Sequence, residues 1–289
     1  MLGCSKSESK SKMKQNKKTI LFFTMTAVFF AAVFVHIYFS SQTQVTSVPE
    51  VEIISPMPQE STVTGLIVPH FAPVSYMTED ALKQVTTIPD LIILIGPNHH
   101  EAGAFPITTG IYQSQIFHHD TNFATEKIQQ LASLGIVQRD DAVISGDHSI
   151  GTPLPIILSR FPNAKVLAIV LKYRPNPQNI EKLILGLESI STTNTLIIAS
   201  LDFSHYLSSD IAPQKDSETE KYIAAHDYKH IESLSNDYLD SPWTLITFLK
   251  YLEAHGVYEG KQLIHTNTGQ VAGQTIESST SFFTYIFQK

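Results

Sequence analysis

Cysteine is almost missing from this chain. Cys4 is the only one in 289 residues, which excludes a disulfide framework and a thiolate metal cluster. Whatever folds beyond it suits an oxidising compartment as well as a reducing one. Positive charge is also scarce, with 20 Lys and Arg against 27 Asp and Glu and a net charge of −7. Lys6, Lys10, Lys12, Lys14, Lys17 and Lys18 crowd the first 18 residues beside one acid, Glu8, so the remainder is more acidic still. Such a surface repels phosphate backbones and excludes nucleic acid as a partner. There is no internal repeat and no low-complexity segment past residue 60.

What is present is a composition with a sizeable core, 43% hydrophobic and 16% charged, on a length that holds one large domain or two small ones. Residues 19–40, TILFFTMTAVFFAAVFVHIYFS, contain no Asp, Glu, Lys or Arg. At ~1.5 Å rise per residue they span roughly 33 Å, enough for a hydrocarbon core of about 30 Å. A cleavable signal peptide has an apolar region of only about 7–15 residues that ends at a small-residue site. Here the run is longer and leaves through Ile37, Tyr38 and Phe39. The expectation is a single-pass, uncleaved transmembrane helix, with the basic tail at 1–18 in the cytoplasm and the rest outside. Residues 41–60 are rich in Ser, Thr and Pro and read as a linker.

After the linker, short continuous apolar runs recur at 64–70, 90–100, 164–171 and 194–205. Runs of this kind suit strands buried on both faces, as in a parallel sheet. Helix-like stretches lie between and after them, at 78–85, 122–134, 153–159, 178–189, 216–233 and 242–254. Strands alternating with helices predict a three-layer α/β domain over 61–289, with a mixed, mostly parallel central sheet.

Three of the predicted strands run into histidine: IVPH at His70, IGPNHH at His99 and His100, and SLDFSH at His205 with Asp202 ahead of it. In open α/β sheets ligands bind beyond the carboxyl ends of strands. Imidazole and carboxylate at that edge are the groups that a metal site or an acid–base site needs. The spacing is neither that of a zinc finger nor that of a His-Glu-x-x-His helix, so it names no chemistry by itself. His148 in SGDHSIGTPLP is a further candidate, ahead of a predicted helix that Asp147 and Ser149 can cap. His118 and His119 read as surface residues. His226, His230, His255 and His265 read as structural or solvent-facing, and His100 points away from its neighbour.

Taken in order, PH after one strand, GPNHH after the next, DHS…LP before a helix and DFSHY after a late strand resemble the Memo family. More specifically they are similar to the proteins called AmmeMemoRadiSam system protein B. The resemblance covers residues 61–289, including the closing ESSTSFFTYIF, which resembles the family's last strand. It implies a fold similar to class III extradiol dioxygenases and a metal pocket at the strand ends. Carried over by motif, His70, His99, Asp202 and His205 match pocket positions and become the expected metal ligands, with His148, Asp202 and His205 as catalytic candidates. Family members are associated with iron or copper, and a histidine–carboxylate set suits ferrous iron. The chain departs from the pattern at three points. The family's pocket cysteine aligns with Ser241, its His-Ser-x-Glu ends here in Gly151, and its Gly-Tyr after the first histidine is replaced by Phe71-Ala72-Pro73.

Two readings follow. The first is a membrane-anchored, metal-dependent redox enzyme acting on a small molecule. The second is a non-catalytic extracytoplasmic module that binds a metal or a ligand. The family name points to a radical-SAM partner, which a domain outside the cytoplasm would not meet.

Overall fold

The computed structural model describes residues 62–113 and 122–289. The expected tail, transmembrane helix and linker at 1–60 lie outside the described residues, as do His118 and His119. Among the described residues no helix is long and apolar enough to cross a membrane.

In chain order the elements are β1 (Val63–Val68), α1 (Ser75–Lys83), β2 (Leu91–Pro97), β3 (Ile107–Gly110), α2 (Thr125–Ser133), β4 (Gln138–Arg139), α3 (Asp141–Gly146), α4 (His148–Gly151) and α5 (Pro153–Arg160). There follow β5 (Lys165–Leu171), α6 (Pro177–Ile190), β6 (Thr195–Ser200), α7 (Ala212–Ala225), α8 (Tyr228–Ser233), α9 (Pro242–Ala254), β7 (Gly260–Asn267), α10 (Thr268–Ala272) and β8 (Ser281–Gln288). The strands form one eight-stranded sheet in the order β4-β3-β5-β2-β6-β1-β8-β7. The middle, β5-β2-β6-β1, is parallel, while β8 joins β1, β7 joins β8 and β3 joins β5 antiparallel.

The four apolar runs are the four parallel strands, and each is buried on both faces because helices cover both. All seven residues of β2 are buried. Ile93 and Ile95 pack with Leu183 and Phe248 on one side, while Ile92 and Leu94 pack with Leu154 and Ile157 on the other. Alternate residues of a strand point to opposite faces, so the sheet separates two apolar layers. The α/β expectation holds in this form: three layers and a mixed, mostly parallel sheet.

The helix expected over 216–233 is two helices. His226 adopts a left-handed conformation, φ 50°, at the end of α7. Its ring bridges Glu253 Oε1 at 2.5 Å and the Tyr258 carbonyl at 2.7 Å, and these contacts outweigh the strain that a non-glycine residue meets there. The edge strands β4 and β7, and the short β3 beside β4, have no apolar run behind them. Lys261 and Gln262 on β7 and Gln138 on β4 face the rim of the sheet, where polar residues are ordinary.

Candidate metal centre

The site is built by the strand order. β6 lies between β1 and β2, and all three run parallel, so their carboxyl ends meet at one edge. The strands stop at Val68, Pro97 and Ser200. His70, His99 and Asp202 each stand two residues beyond a strand end, in loops rather than in the strands themselves.

His99 is held at two points by Asp147. Asp147 Oδ2 accepts the main-chain N–H of His99 at 2.8 Å, and its Oδ1 lies 2.8 Å from His99 Nδ1. The same Oδ1 accepts the Ser149 N–H at 2.9 Å, which caps α4. Burial alone would raise the Asp147 pKa, but these hydrogen bonds, from His99 first, hold it well below the usual carboxylate range. With Nδ1 engaged, Nε2 of His99 is the nitrogen left for a ligand, the arrangement by which carboxylates commonly orient metal-binding imidazoles.

The clamp also delivers His148, the first residue of α4. Its ring stacks on His99 with centroids 4.0 Å apart, and His70 meets the two edge-on at 4.9 and 5.0 Å. Gly96 permits this approach: a Cβ there would lie 2.6 Å from Ser149 Oγ, whose hydroxyl donates to the Pro97 carbonyl at 2.8 Å. Burial, helped by the neighbouring His99 and His70, lowers the His148 pKa to about 4. Its imidazole is therefore neutral at pH 7, the form that binds metals.

His70 is fully enclosed. Nδ1 sits 3.1 Å from Ser200 Oγ, while Nε2 faces two carboxylates, Asp240 Oδ2 at 3.2 Å and Asp202 Oδ2 at 3.6 Å. Burial would lower its pKa, but Asp202 and then Asp240 override it and push it up to about 9. Burial also raises the pKa of Asp202, whose Oδ1 accepts the His70 main-chain N–H at 3.0 Å.

The ligand atoms of His70, His99 and His148 all lie within 4.8 Å of one another. Three imidazoles so placed can hold one ion after a small rotamer adjustment, since metal–nitrogen bonds of about 2.0–2.1 Å put donors on a common ion within roughly 4.2 Å. Asp202 and His205 are not in this set. His205 stands five residues past β6, its main-chain N–H tied to the Asn236 carbonyl, so its ring forms a wall instead. That wall belongs to a cavity of about 260 Å³ bordered also by His99, Tyr173, Tyr206, Asp240 and Ser241. His205 Nδ1 is buried there with no hydrogen-bond partner, as is Asp240 Oδ1. His100 is exposed. Elsewhere His226 pairs with Glu253, His230 with Asp227 and His265 with Asp216, and His255 contacts the Tyr251 carbonyl.

A family model for Memo-like proteins matches residues 36–285. The chain belongs to the Memo family. The match begins ahead of residue 61, where the motifs begin. A MEMO1 family protein of Methanopyrus kandleri is 25% identical over 228 residues, covering 73% of this chain and 79% of that protein. One from Methanosarcina acetivorans is 31% identical over 169 residues, or 55% of this chain and 61% of that protein. A solved structure of an uncharacterised protein from Escherichia coli K12 superposes with a TM-score of 0.51 at 12% identity, covering 75% of this chain and 99% of that one. At that identity the likeness concerns the fold alone.

The departures from the Memo pattern now have surroundings. Ser241 is the N-cap of α9: its Oγ accepts the Thr244 N–H at 3.3 Å and lies 2.7 Å from Thr244 Oγ1. Its hydroxyl is committed to the helix. At Gly151 a Cβ would come within 2.7 Å of the Tyr112 hydroxyl, so Tyr112 fills the space that a longer side chain would enter. Phe71 stacks on Phe282 at 5.2 Å and closes the loop after His70. The residues that sequence reasoning passed over are the carboxylates Asp147 and Asp240. The first read as a plain helix cap, and nothing in DSPW distinguished the second.

Proposed function

We propose that this Memo-family chain is a membrane-anchored metalloprotein whose His70, His99 and His148 bind a divalent transition metal, with iron as the physiological ion and copper as its rival. The observation that carries the reading is the convergence of three imidazoles, one of them oriented by a buried carboxylate, beside a cavity with room for a small molecule. Neutral imidazoles suit zinc, copper and iron alike, while nearby carboxylates incline the site toward ferrous iron.

The bound ion would supply Lewis acidity or one-electron chemistry to a small molecule in the 260 Å³ cavity. His205 lines that cavity and would take or give a proton of the bound molecule. Tyr173 and Tyr206 flank the mouth and would limit access by water. Residues 19–40 anchor the domain, with residues 41–289 outside the cytoplasm; the apolar run and the six lysines support this topology.

The test is metal analysis of the purified full chain in detergent, followed by oxygen-consumption assays with catechols and related small molecules. Near-stoichiometric iron with turnover is the expected result. Stoichiometric metal without turnover of any substrate would leave the binding module, and no metal at all would remove the centre.

A further inference from the structure

We propose that Asp240 is a fourth protein ligand of the ion held by His70, His99 and His148, making the centre a three-histidine, one-carboxylate site. This rests on the metal-centre reading above and goes beyond it by fixing the anionic donor.

Asp240 Oδ2 lies 3.2 Å from His70 Nε2. Two donors occupying adjacent octahedral positions, each ~2.1 Å from an ion, stand roughly 3.0 Å apart. The pair is therefore already spaced as neighbouring ligands. The Asp240 side chain is only 7% exposed, and it lines the same cavity as His99. Its Oδ2 accepts the Asp202 main-chain N–H at 3.1 Å, but Oδ1 is buried and accepts nothing. A buried carboxylate oxygen without a donor is strongly unfavourable unless a cation approaches it. Asp240 lies outside the set of donors within 4.8 Å of one another, so coordination requires its carboxylate to shift toward the other two imidazoles. Only the Oδ2 contacts with the Asp202 N–H and His70 Nε2 resist that shift, since Oδ1 accepts nothing.

The neighbouring groups are poorer choices. Asp202 has no buried oxygen left without a partner, and its Oδ2 stands farther from Nε2, at 3.6 Å. The Ser241 hydroxyl is spent on capping α9, and a neutral hydroxyl adds no charge. Three neutral imidazoles leave a divalent ion with its full charge in a partly buried site, and Asp240 halves it. A set of nitrogen and carboxylate donors favours ferrous iron or zinc and disfavours cuprous copper, which prefers sulfur.

The experiment uses cobalt(II) as the probe, bound to the full chain in detergent. Wild-type protein should bind one cobalt with visible d–d absorption and no sulfur-to-cobalt charge-transfer band, since Cys4 is its only thiol. D240C should acquire that band and S241C should not. D240N should bind cobalt at least about tenfold more weakly, with S241A close to wild type. A band in S241C but not in D240C would assign the donor to position 241 and overturn the proposal. Wild-type affinity in D240N would overturn it too, and serves as the deciding measurement if D240C does not fold. Both of those results leave the three-histidine centre standing. Cobalt binding that is absent in wild type, or unchanged by H99A, would instead refute the centre itself, and the role of Asp240 with it.

Discussion

His70 and His148 face each other across the centre with pKa values displaced in opposite directions, to about 9 and about 4, and stability should record both. In the metal-free protein, His148 is neutral where an unfolded chain takes a proton near pH 6.5, so stability rises with pH between about 4 and 6.5. His70 holds its proton beyond that point, so its contribution is complete below about 6.5 and is lost as pH climbs through 9. Melting temperatures of the metal-free chain should therefore peak at about pH 6.5; a profile flat from pH 5 to 9 would contradict the arrangement. A bound ion displaces the His70 proton, which should remove the decline on the alkaline side. Asp147 orients His99 and caps α4, so Asp147→Asn should weaken metal binding by about 10–100-fold, as titration with a competing chelator would measure. The histidines were visible in the sequence because they stand beside apolar strands. Their grouping was not: Asp147 looked like a cap and His148 like a loop residue, and only the clamp on His99 turns the pair inward.

At the scale of elements, the approach of α4 to β2 decides whether His148 reaches the other two rings. Gly96 lies against Ser149, and a methyl group there would meet Ser149 Oγ at 2.6 Å. Gly96→Ala should lift α4, lower stability by about 1–3 kcal/mol as overpacking does, and reduce metal affinity. The comparison that matters is Gly65→Ala, whose added carbon would touch Leu252 and Phe248 in the core instead. That variant should lose stability, seen in denaturant melts, and keep its metal. Equal loss of metal in both would mean that general loosening, not the position of α4, controls the centre. The long elements were legible because β1, β2, β5 and β6 are buried on both faces and read as unbroken apolar runs. The edge strands were not, since an edge needs no such run, and the break at His226 depends on Glu253 and Tyr258, residues distant in sequence.

At the scale of the whole molecule, the proposed topology predicts that protease added to intact cells degrades the domain past residue 61. A domain left untouched would reverse the orientation, and a mature protein beginning near Ser41 would replace the anchor with a signal peptide. The ion should also act on the molecule as a whole, raising its melting temperature in proportion to the logarithm of free metal once the site is saturated. The strand order has a kinetic corollary. β6 fills the gap between β1 and β2 yet follows both by about a hundred residues or more, so contacts of great sequence separation must close before the three strand ends are aligned. Such closures are slow, and an ion finds no assembled set of imidazoles until they are complete. Metal present during refolding should accordingly leave the folding rate nearly unchanged and slow unfolding instead: the centre is a latch that engages after the sheet has closed.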